Sequence, residues 1–318
     1  MRLTTREREI VEVLKKEPLI SQDDLAQRFH ISRSSIAVHI SNLMKKGVIA
    51  GKGYVFNEQV SVVVVGECCT KVSISTRGDL NNVDINDGGF ATEVSEALSR
   101  FGVYVKLITV TGNDDIGLRL VNRFRAHNID ISNIYHHPRR SCRLVLVDNV
   151  LVYREGYTNE EYREAIEAKS WVASNCEWLI VEDQFQEIIF NQILTREHNI
   201  PKSCTCKYVN GPQDIPDVLS GFSLVVIGVD NFDRLDGYIN RVNLMIRRND
   251  QHFVVTDGKT NITCVNQSGV TDYAMLPTQN FSVQSKLPLL MTGIIYGLIS
   301  GYPLRQAFRI GAGTASSN

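Results

Sequence analysis

The sequence predicts an α/β protein, a mostly parallel sheet covered by helices, preceded by a small α+β module. Three observations predict it. From Val60 onward, short apolar runs alternate with helical patterns, the arrangement in which crossover helices bury both faces of a parallel sheet. Within that stretch RLVLV and VLVYR flank Asp148-Asn149 and read as a hairpin outside the parallel core. The first 57 residues differ: they hold ten Lys/Arg against six Asp/Glu, whereas the remainder holds 24 against 29. A basic module in front of an acidic body hints at an anionic partner for the front. The expected domains are 1–57 and 60–318, joined through residues 57–59.

In the front module Thr4-x-x-Glu7 is a capping-box start, followed by Ile10, Val11 and Leu14 on one face, and Pro18 ends the helix. Ser21-x-x-Asp24 opens a second helix with Leu25, Ala26 and Phe29 inward. Ser32 caps a third, with Ile36, Ile40, Leu43 and Met44 as an apolar stripe and Arg33, Ser34, Ser35 and His39 opposite. Residues 48–50, a Gly51-Lys52-Gly53 turn and residues 54–56 make a short hairpin. In the large domain a buried strand is expected over 60–66. Others are expected at 104–110, 143–147, 178–181, 208–209, 224–227 and 253–256. The stretch from Phe281 to Gly301, FSVQSKLPLLMTGIIYGLISG, reads as a large helix.

Three small helices and a hairpin resemble a winged helix-turn-helix, and LISQDDLAQRFHISRSSIAVHISNLMKKGVIAGKGYVF matches that family across the module. The resemblance implies binding to double-stranded DNA, with the third helix in the major groove. Ser32, Arg33, Ser34, Ser35 and His39 would lie nearest the duplex, His39 facing solvent or a phosphate. Lys52 at the wing tip, with Lys45 and Lys46, would neutralise phosphates. A small helical protein-interaction domain would show the same pattern.

DGGFATEVSEALSRFGVYVKLITVTGNDDIGLRLVNRF resembles the first signature of the ribokinase/PfkB family: a Gly-Gly pair opening a helix, a strand, then Gly-x-Asp-x-x-Gly and another helix. The likeness continues through Val255-Thr-Asp-Gly258 and GLISGYPLRQAFRIGAGTA, and runs from Val60 to the end of the chain. It implies a ribokinase-like sheet with a small β lid, and a family member would carry a further strand or helix beyond Asn318. A helix-turn-helix in front of such a kinase is similar to bacterial proteins near the pseudouridine and nucleoside kinases.

The family's chemistry does not carry over residue by residue. Its last large helix is entered through a Gly-Ala-Gly-Asp turn, whose N–H groups hold the transferring phosphate and whose Asp accepts the substrate proton. With Gly293, Tyr296, Gly297 and Gly301 in register, those positions are Ser285, Lys286, Leu287 and Pro288. Pro288 has neither carboxylate nor N–H. A general base is worth about 10²–10⁴ in rate and one donor to developing charge about 10²–10³. Gly66 is followed five residues later by Lys71, where the family has a sugar-binding Asp, and Glu93 stands for the Asn that follows the Gly88-Gly89 pair. The Asn-x-x-Glu pair that organises Mg²⁺ falls on Val229 and Phe232, with Asp230 and Asp233 close by.

The expectation is therefore a transcriptional regulator with a pseudokinase domain and no catalytic residue, used for metabolite sensing or dimerisation. Lys71, Gly88, Gly89, Glu93 and Lys286 are the candidate ligand-binding residues, for a nucleoside, sugar or sugar phosphate. Lys71 and Glu93 could equally pair and fill the cleft, while Lys286 near a helix N-terminus would favour an anion. The alternative is an active carbohydrate or nucleoside kinase using ATP and Mg²⁺, and a third reading is a protein-interaction scaffold. PfkB-type kinases often pair through their lids, so a homodimer is expected. The seven cysteines include no zinc-spaced pair, Cys204-x-Cys206 reads as buried thiols, and His136-His137 lack partner ligands, so no metal is expected. With no apolar leader and no membrane-length run, a cytoplasmic protein is expected.

Overall fold

The computed structural model of the chain describes residues 4–17, 20–45, 49–51, 55–56, 62–77, 80–148, 150–195 and 200–317. Contacts divide the chain into two compact units, Met1–Gln59 and Val60–Asn318. Pro18, Lys46, Lys52, the connection 57–59 and Asn149 lie outside the described residues.

In the front unit, α1 (Thr5–Lys16) starts on a reciprocal capping box: Glu7 N donates to Thr4 Oγ1 at 3.1 Å and Thr4 N to Glu7 Oε2 at 2.6 Å. Ser21 Oγ accepts from Asp24 N at 3.1 Å at the head of α2 (Gln22–Phe29), which ends on a left-handed His30. Ser32 Oγ accepts from Ser35 N at 3.1 Å and starts α3 (Arg33–Lys45). β1 (Ile49–Gly51) and β2 (Val55–Phe56) pair antiparallel. Ile10, Leu14, Leu25, Ile36, Ile40 and Leu43 close a small core. Met44, expected in the stripe, is instead 43% exposed. At 3.6 residues per turn it lies about 100° round from Leu43, beyond the edge of the buried stripe.

The second unit opens with β3 (Val62–Val65), then β4 (Cys69–Arg77), β5 (Leu80–Gly88) and α4 (Phe90–Arg100). β6 (Val105–Ile108), β7 (Val110–Gly112), α5 (Asp115–Ala126), β8 (Tyr135–His137), β9 (Arg143–Val147) and β10 (Val150–Glu155) follow. Next come α6 (Asn159–Ala168), α7 (Ser170–Ser174), β11 (Trp178–Val181), α8 (Gln186–Ile189), β12 (Lys202–Tyr208) and β13 (Leu224–Gly228). The chain continues with α9 (Leu235–Asn243), β14 (His252–Thr256), β15 (Asn261–Asn266), β16 (Gly269–Ala274), α10 (Val283–Ile299) and α11 (Leu304–Ser316).

An eight-stranded sheet runs β16-β15-β14-β13-β12-β11-β3-β6, parallel from β6 to β14 and antiparallel through β15 and β16. Leu98, Phe124, Leu290 and Phe308 cover one face, from α4, α5, α10 and α11. Tyr162, Val172, Ile189 and Val242 cover the other, from α6 to α9. A four-stranded sheet, β10-β9-β4-β5, forms the lid, with the expected β9–β10 hairpin at its edge.

Two strand expectations change. The strand expected over 104–110 breaks at Thr109, because β7 leaves the main sheet to pair with β8. Of the strand expected at 208–209, Tyr208 is the last residue of β12 and Val209 lies beyond it; within β12, Ser203, Cys204, Thr205 and Cys206 are all buried although half of them are polar. Among the described residues, no helix is long and apolar enough to cross a membrane.

Candidate functional site

Ligands of open α/β sheets gather beyond the carboxyl ends of the parallel strands. At that edge the loop after β3, the start of α4, the lid strand β4 and the start of α10 come together. Gly89 is the hinge of this meeting. Its φ is +93°, and a Cβ there would lie 2.6 Å from Glu67 O, so only glycine lets α4 start against the β3 loop. Ala91 N donates to Glu67 O at 3.0 Å and fixes that approach.

α10 begins earlier than a phosphate-binding turn at 285–288 would require. Ser285 N and Lys286 N already donate to Ser282 O, at 3.3 and 2.9 Å, so both are engaged within the helix. Pro288 lies inside α10 and offers no donor. Leu287 and Val283 are buried and pack on two glycines of the sheet edge. A Cβ on Gly228 would meet Leu287 Cδ1 at 2.5 Å, and one on Gly258 would meet Val283 Cγ1 at 3.1 Å. A cleft of about 480 Å³ opens beside this helix start, lined by Asp230, Asp257, Lys259, Ser282 and Gln284 among others. Its carboxylates are engaged: Asp230 accepts from Tyr208 OH at 2.8 Å, and Asp257 accepts from Lys259 N, Thr260 N and Thr260 Oγ1 at 2.8–2.9 Å. Val229 is fully buried and Phe232 packs on the core, so neither position presents a group to a metal or phosphate.

Lys71 points from the lid strand β4, Glu93 from the first turn of α4 and Lys286 from α10, and the fold brings the three into one electrostatic neighbourhood. Burial pushes the Glu93 carboxyl above its usual range, and the ammonium groups of Lys71 and then Lys286 pull it back. Glu93 and Lys71 do not close to an ion pair within 4 Å among the described residues. A Cβ on Gly88 would lie 3.9 Å from Glu93 Oε1, which sets Gly88 beside the carboxylate. The result is a half-buried carboxylate in the field of two ammonium groups.

Sequence reasoning missed a second polar cluster at the same edge. Glu67, directly after Gly66, is buried and accepts from Arg154 Nη2 at 2.9 and 3.1 Å and from Tyr162 OH at 3.2 Å. Glu182, directly after β11, accepts from Glu67 N at 2.5 Å. Burial pushes the Glu182 carboxyl up to about 8, against the pull of that N–H. The thiols of Cys69 and Cys142 lie with Glu67. Spacing along the chain gave no metal-ligating pair, whereas the fold gathers these three donor atoms within 4.8 Å of one another. A readable signal existed: Glu67 and Glu182 each follow the carboxyl end of an apolar parallel strand.

His136 and His137 are separated by their partners. His136 Nδ1 is 3.1 Å from Thr111 Oγ1, and His137 Nε2 is 3.3 Å from Glu161 Oε1.

On the front unit, Arg33 and Ser34 are exposed at the start of α3. Ser32 Oγ lies 2.8 Å from both Ser34 Oγ and Ser35 Oγ, which ties the three hydroxyls together. Arg33 Nε is 3.6 Å from Asp23 Oδ1, a pair 68% and 65% exposed that water screens. His39 is half-buried, with its Nδ1 buried and unpartnered. Val38, also on α3, is 58% exposed.

Comparison with known proteins accounts for both units. The profile described as winged helix-turn-helix DNA-binding matches residues 3–50, and that of the pfkB family carbohydrate kinases matches residues 59–283. A protein of Escherichia coli (strain K12), described as the uncharacterized sugar kinase YeiI, is 34% identical over 141 residues, covering 41% of this chain and 38% of that protein. A PfkB protein from Polaromonas sp. JS666 superposes with a TM-score of 0.63 at 16% identity, over 81% of this chain and 95% of that one. The Burkholderia thailandensis nucleoside kinase in complex with inosine gives 0.62 at 13% identity, over 80% and 90%. Ribokinase from Thermotoga maritima gives 0.62 at 12%, over 81% and 92%. The chain belongs to the pfkB family of carbohydrate kinases and carries a winged helix-turn-helix DNA-binding domain in front of the kinase fold.

Proposed function

We propose that this chain is a DNA-binding transcriptional regulator of the cytoplasm whose pfkB-type domain binds a small metabolite without transferring phosphate. The observation that carries the proposal is the start of α10. Where a transferring phosphate would need free N–H groups and a carboxylate, Ser285 and Lys286 spend theirs inside the helix, Leu287 is buried on Gly228, and Pro288 has no donor. Phosphoryl transfer rests almost wholly on positioning and electrostatic stabilisation, and this arrangement supplies neither at that point.

The charged groups near that helix start support retained binding. Lys71 and Lys286 around the half-buried Glu93 suit a ligand with both hydroxyl and anionic groups, such as a nucleoside, sugar or sugar phosphate. Exposed Val83, Ile85, Val150 and Tyr153 on the lid support pairing of two copies, which would present two recognition helices to a palindromic site. The second reading, an active sugar or nucleoside kinase with ATP and Mg²⁺, draws support from the relative described as a sugar kinase.

Thermal denaturation with ATP, nucleosides, sugars and sugar phosphates, run beside an ATP-consumption assay with Mg²⁺, separates the two. The expected result is saturable stabilisation by one ligand class and no ATP consumption. Turnover near the enzyme median of about 10 s⁻¹ would overturn the pseudokinase reading in favour of the kinase.

A further inference from the structure

We propose that Glu67, Cys69 and Cys142 form a binding site for zinc or a similar borderline-soft divalent cation, which ties the root of the lid to the main sheet. One ligand atom from each residue lies within 4.8 Å of the other two, and all three residues are buried. The convergence comes from the backbone. Cys69 opens β4 and Cys142 immediately precedes β9, while Thr70 pairs with Arg143 in a parallel ladder and Thr70 N donates to Cys142 O at 3.0 Å. That pairing sets the two thiols side by side on neighbouring strands, with Glu67 two residues upstream in the loop from β3.

Zinc takes sulfur at about 2.3 Å and carboxylate oxygen at about 2.0–2.2 Å, so tetrahedral ligand atoms lie about 3.3–3.8 Å apart. Separations within 4.8 Å come down to that spacing with a contraction of at most about 1.5 Å. Room exists on one side: a Cβ on Gly156 would lie 3.3 Å from Cys142 Sγ and 3.8 Å from Glu67 Oε2. Glycine there keeps a fourth position open for water.

The surroundings are those of a ligand set. Arg154 and Tyr162 grip the Glu67 carboxylate at 2.9–3.2 Å, the orienting hydrogen bonds that metal-bound carboxylates commonly receive. Charge closes as well. Two thiolates and a carboxylate offset the double charge of the ion together with the Arg154 guanidinium. The Tyr157 hydroxyl lies in the electrostatic neighbourhood of Cys68 and Cys142. Binding breaks two S–H bonds, forms two S–metal bonds and releases two protons to solvent; no electron moves. A disulfide would join the same two sulfurs and leave the carboxylate and its two partners without a part.

The experiment uses the full chain, purified in reductant, stripped with a chelator and titrated with Zn²⁺ against a chromophoric chelator, with Co²⁺ as the spectroscopic probe. Wild type should take a single equivalent and show the thiolate-to-cobalt charge-transfer band. Cys69→Ser and Cys142→Ser should each weaken Zn²⁺ at least tenfold and diminish the band. Cys176→Ser and Cys206→Ser should leave both unchanged. Circular dichroism checks folding, and if the serine variants fail it, Glu67→Gln, which keeps both thiols, should weaken Zn²⁺ at least tenfold. The proposal is overturned if folded wild type shows no charge-transfer band, if both serine variants, or Glu67→Gln in their place, bind like wild type, or if a Cys69–Cys142 disulfide persists in reductant.

Discussion

Leu287→Ala removes the side chain that fills the space over Gly228 at the start of α10. Leu287 is 3% exposed, and truncating a buried leucine costs about 2–5 kcal/mol through lost transfer energy and the cavity left behind. Gly228→Ala does the opposite: its new Cβ would stand 2.5 Å from Leu287 Cδ1 and 3.0 Å from Val283 Cβ. Relief requires Leu287 to leave its position, an overpacking cost of about 1–3 kcal/mol. In the double variant the new methyl enters the space that Leu287 vacated, so the combined cost should fall short of the sum by about 1 kcal/mol or more. Urea denaturation followed by tryptophan fluorescence is the assay. Both tryptophans of the chain, Trp171 and Trp178, lie in the second unit, so the signal excludes the front unit. Strict additivity, within about 0.5 kcal/mol, would refute the contact. A loss below about 0.5 kcal/mol for Leu287→Ala alone, the size of a surface substitution, would mean that the helix start stands open enough to admit a phosphate.

Two further outcomes are expected. Arg33→Ala should reduce discrimination at one base pair by about 1–3 kcal/mol, whereas Lys52→Ala should weaken all sequences alike and lower the salt slope by about one; selection of bound genomic fragments followed by gel shifts reads both, and no enrichment would count against DNA reading. Asp87, which accepts from Arg119 Nη2 and Nε at 2.8 and 2.9 Å and from Thr70 Oγ1 at 2.7 Å, has its carboxyl below the usual range through the Arg119 hydrogen bonds. A depressed carboxyl stabilises the fold fully above its unfolded value near 3.9 and loses that contribution as pH falls through the folded value. Asp87→Asn should therefore cost about 1–3 kcal/mol at pH 7, with the gap to wild type closing under acid; a gap that stays constant from pH 7 to below 4 would contradict it.

How much of this was readable depended on how local each determinant is. The Thr4–Glu7 box and the Ser21 and Ser32 caps lie within one turn of the helices they start, and they sit as the sequence indicated. Strands such as VVVV and WLIV announce themselves because both of their faces are buried. β4 and β5, KVSISTR and NNVDINDG in large part, carry polar residues at every second position or oftener and were not seen. At the site, Lys71, Glu93 and Lys286 could be chosen because each sits at a fixed offset from a motif glycine. Cys69 and Cys142 could not be joined from sequence, since their contact depends on β4 pairing with β9 in parallel across intervening elements.

On the proposed reading, the two halves of the site changed for different reasons. A kinase must bind its transition state more tightly than its substrate, which demands the turn and the carboxylate that Ser285 to Pro288 do not provide. A sensor has only to bind one conformation better than another, and it shifts the equilibrium by no more than that difference. Lys71 stands on lid strand β4, while Glu93 and Lys286 stand on helices that cover the main sheet. A ligand that met all three would gain its Lys71 contact only with the lid in place. One hydrogen bond to a charged group is worth about 1.5–3 kcal/mol, and about 1.4 kcal/mol is a factor of ten in an equilibrium. A single ammonium on the lid strand is thus worth about tenfold in ligand affinity, and Lys71→Met should weaken the ligand by about that factor while leaving contacts to Glu93 and Lys286 to hold it.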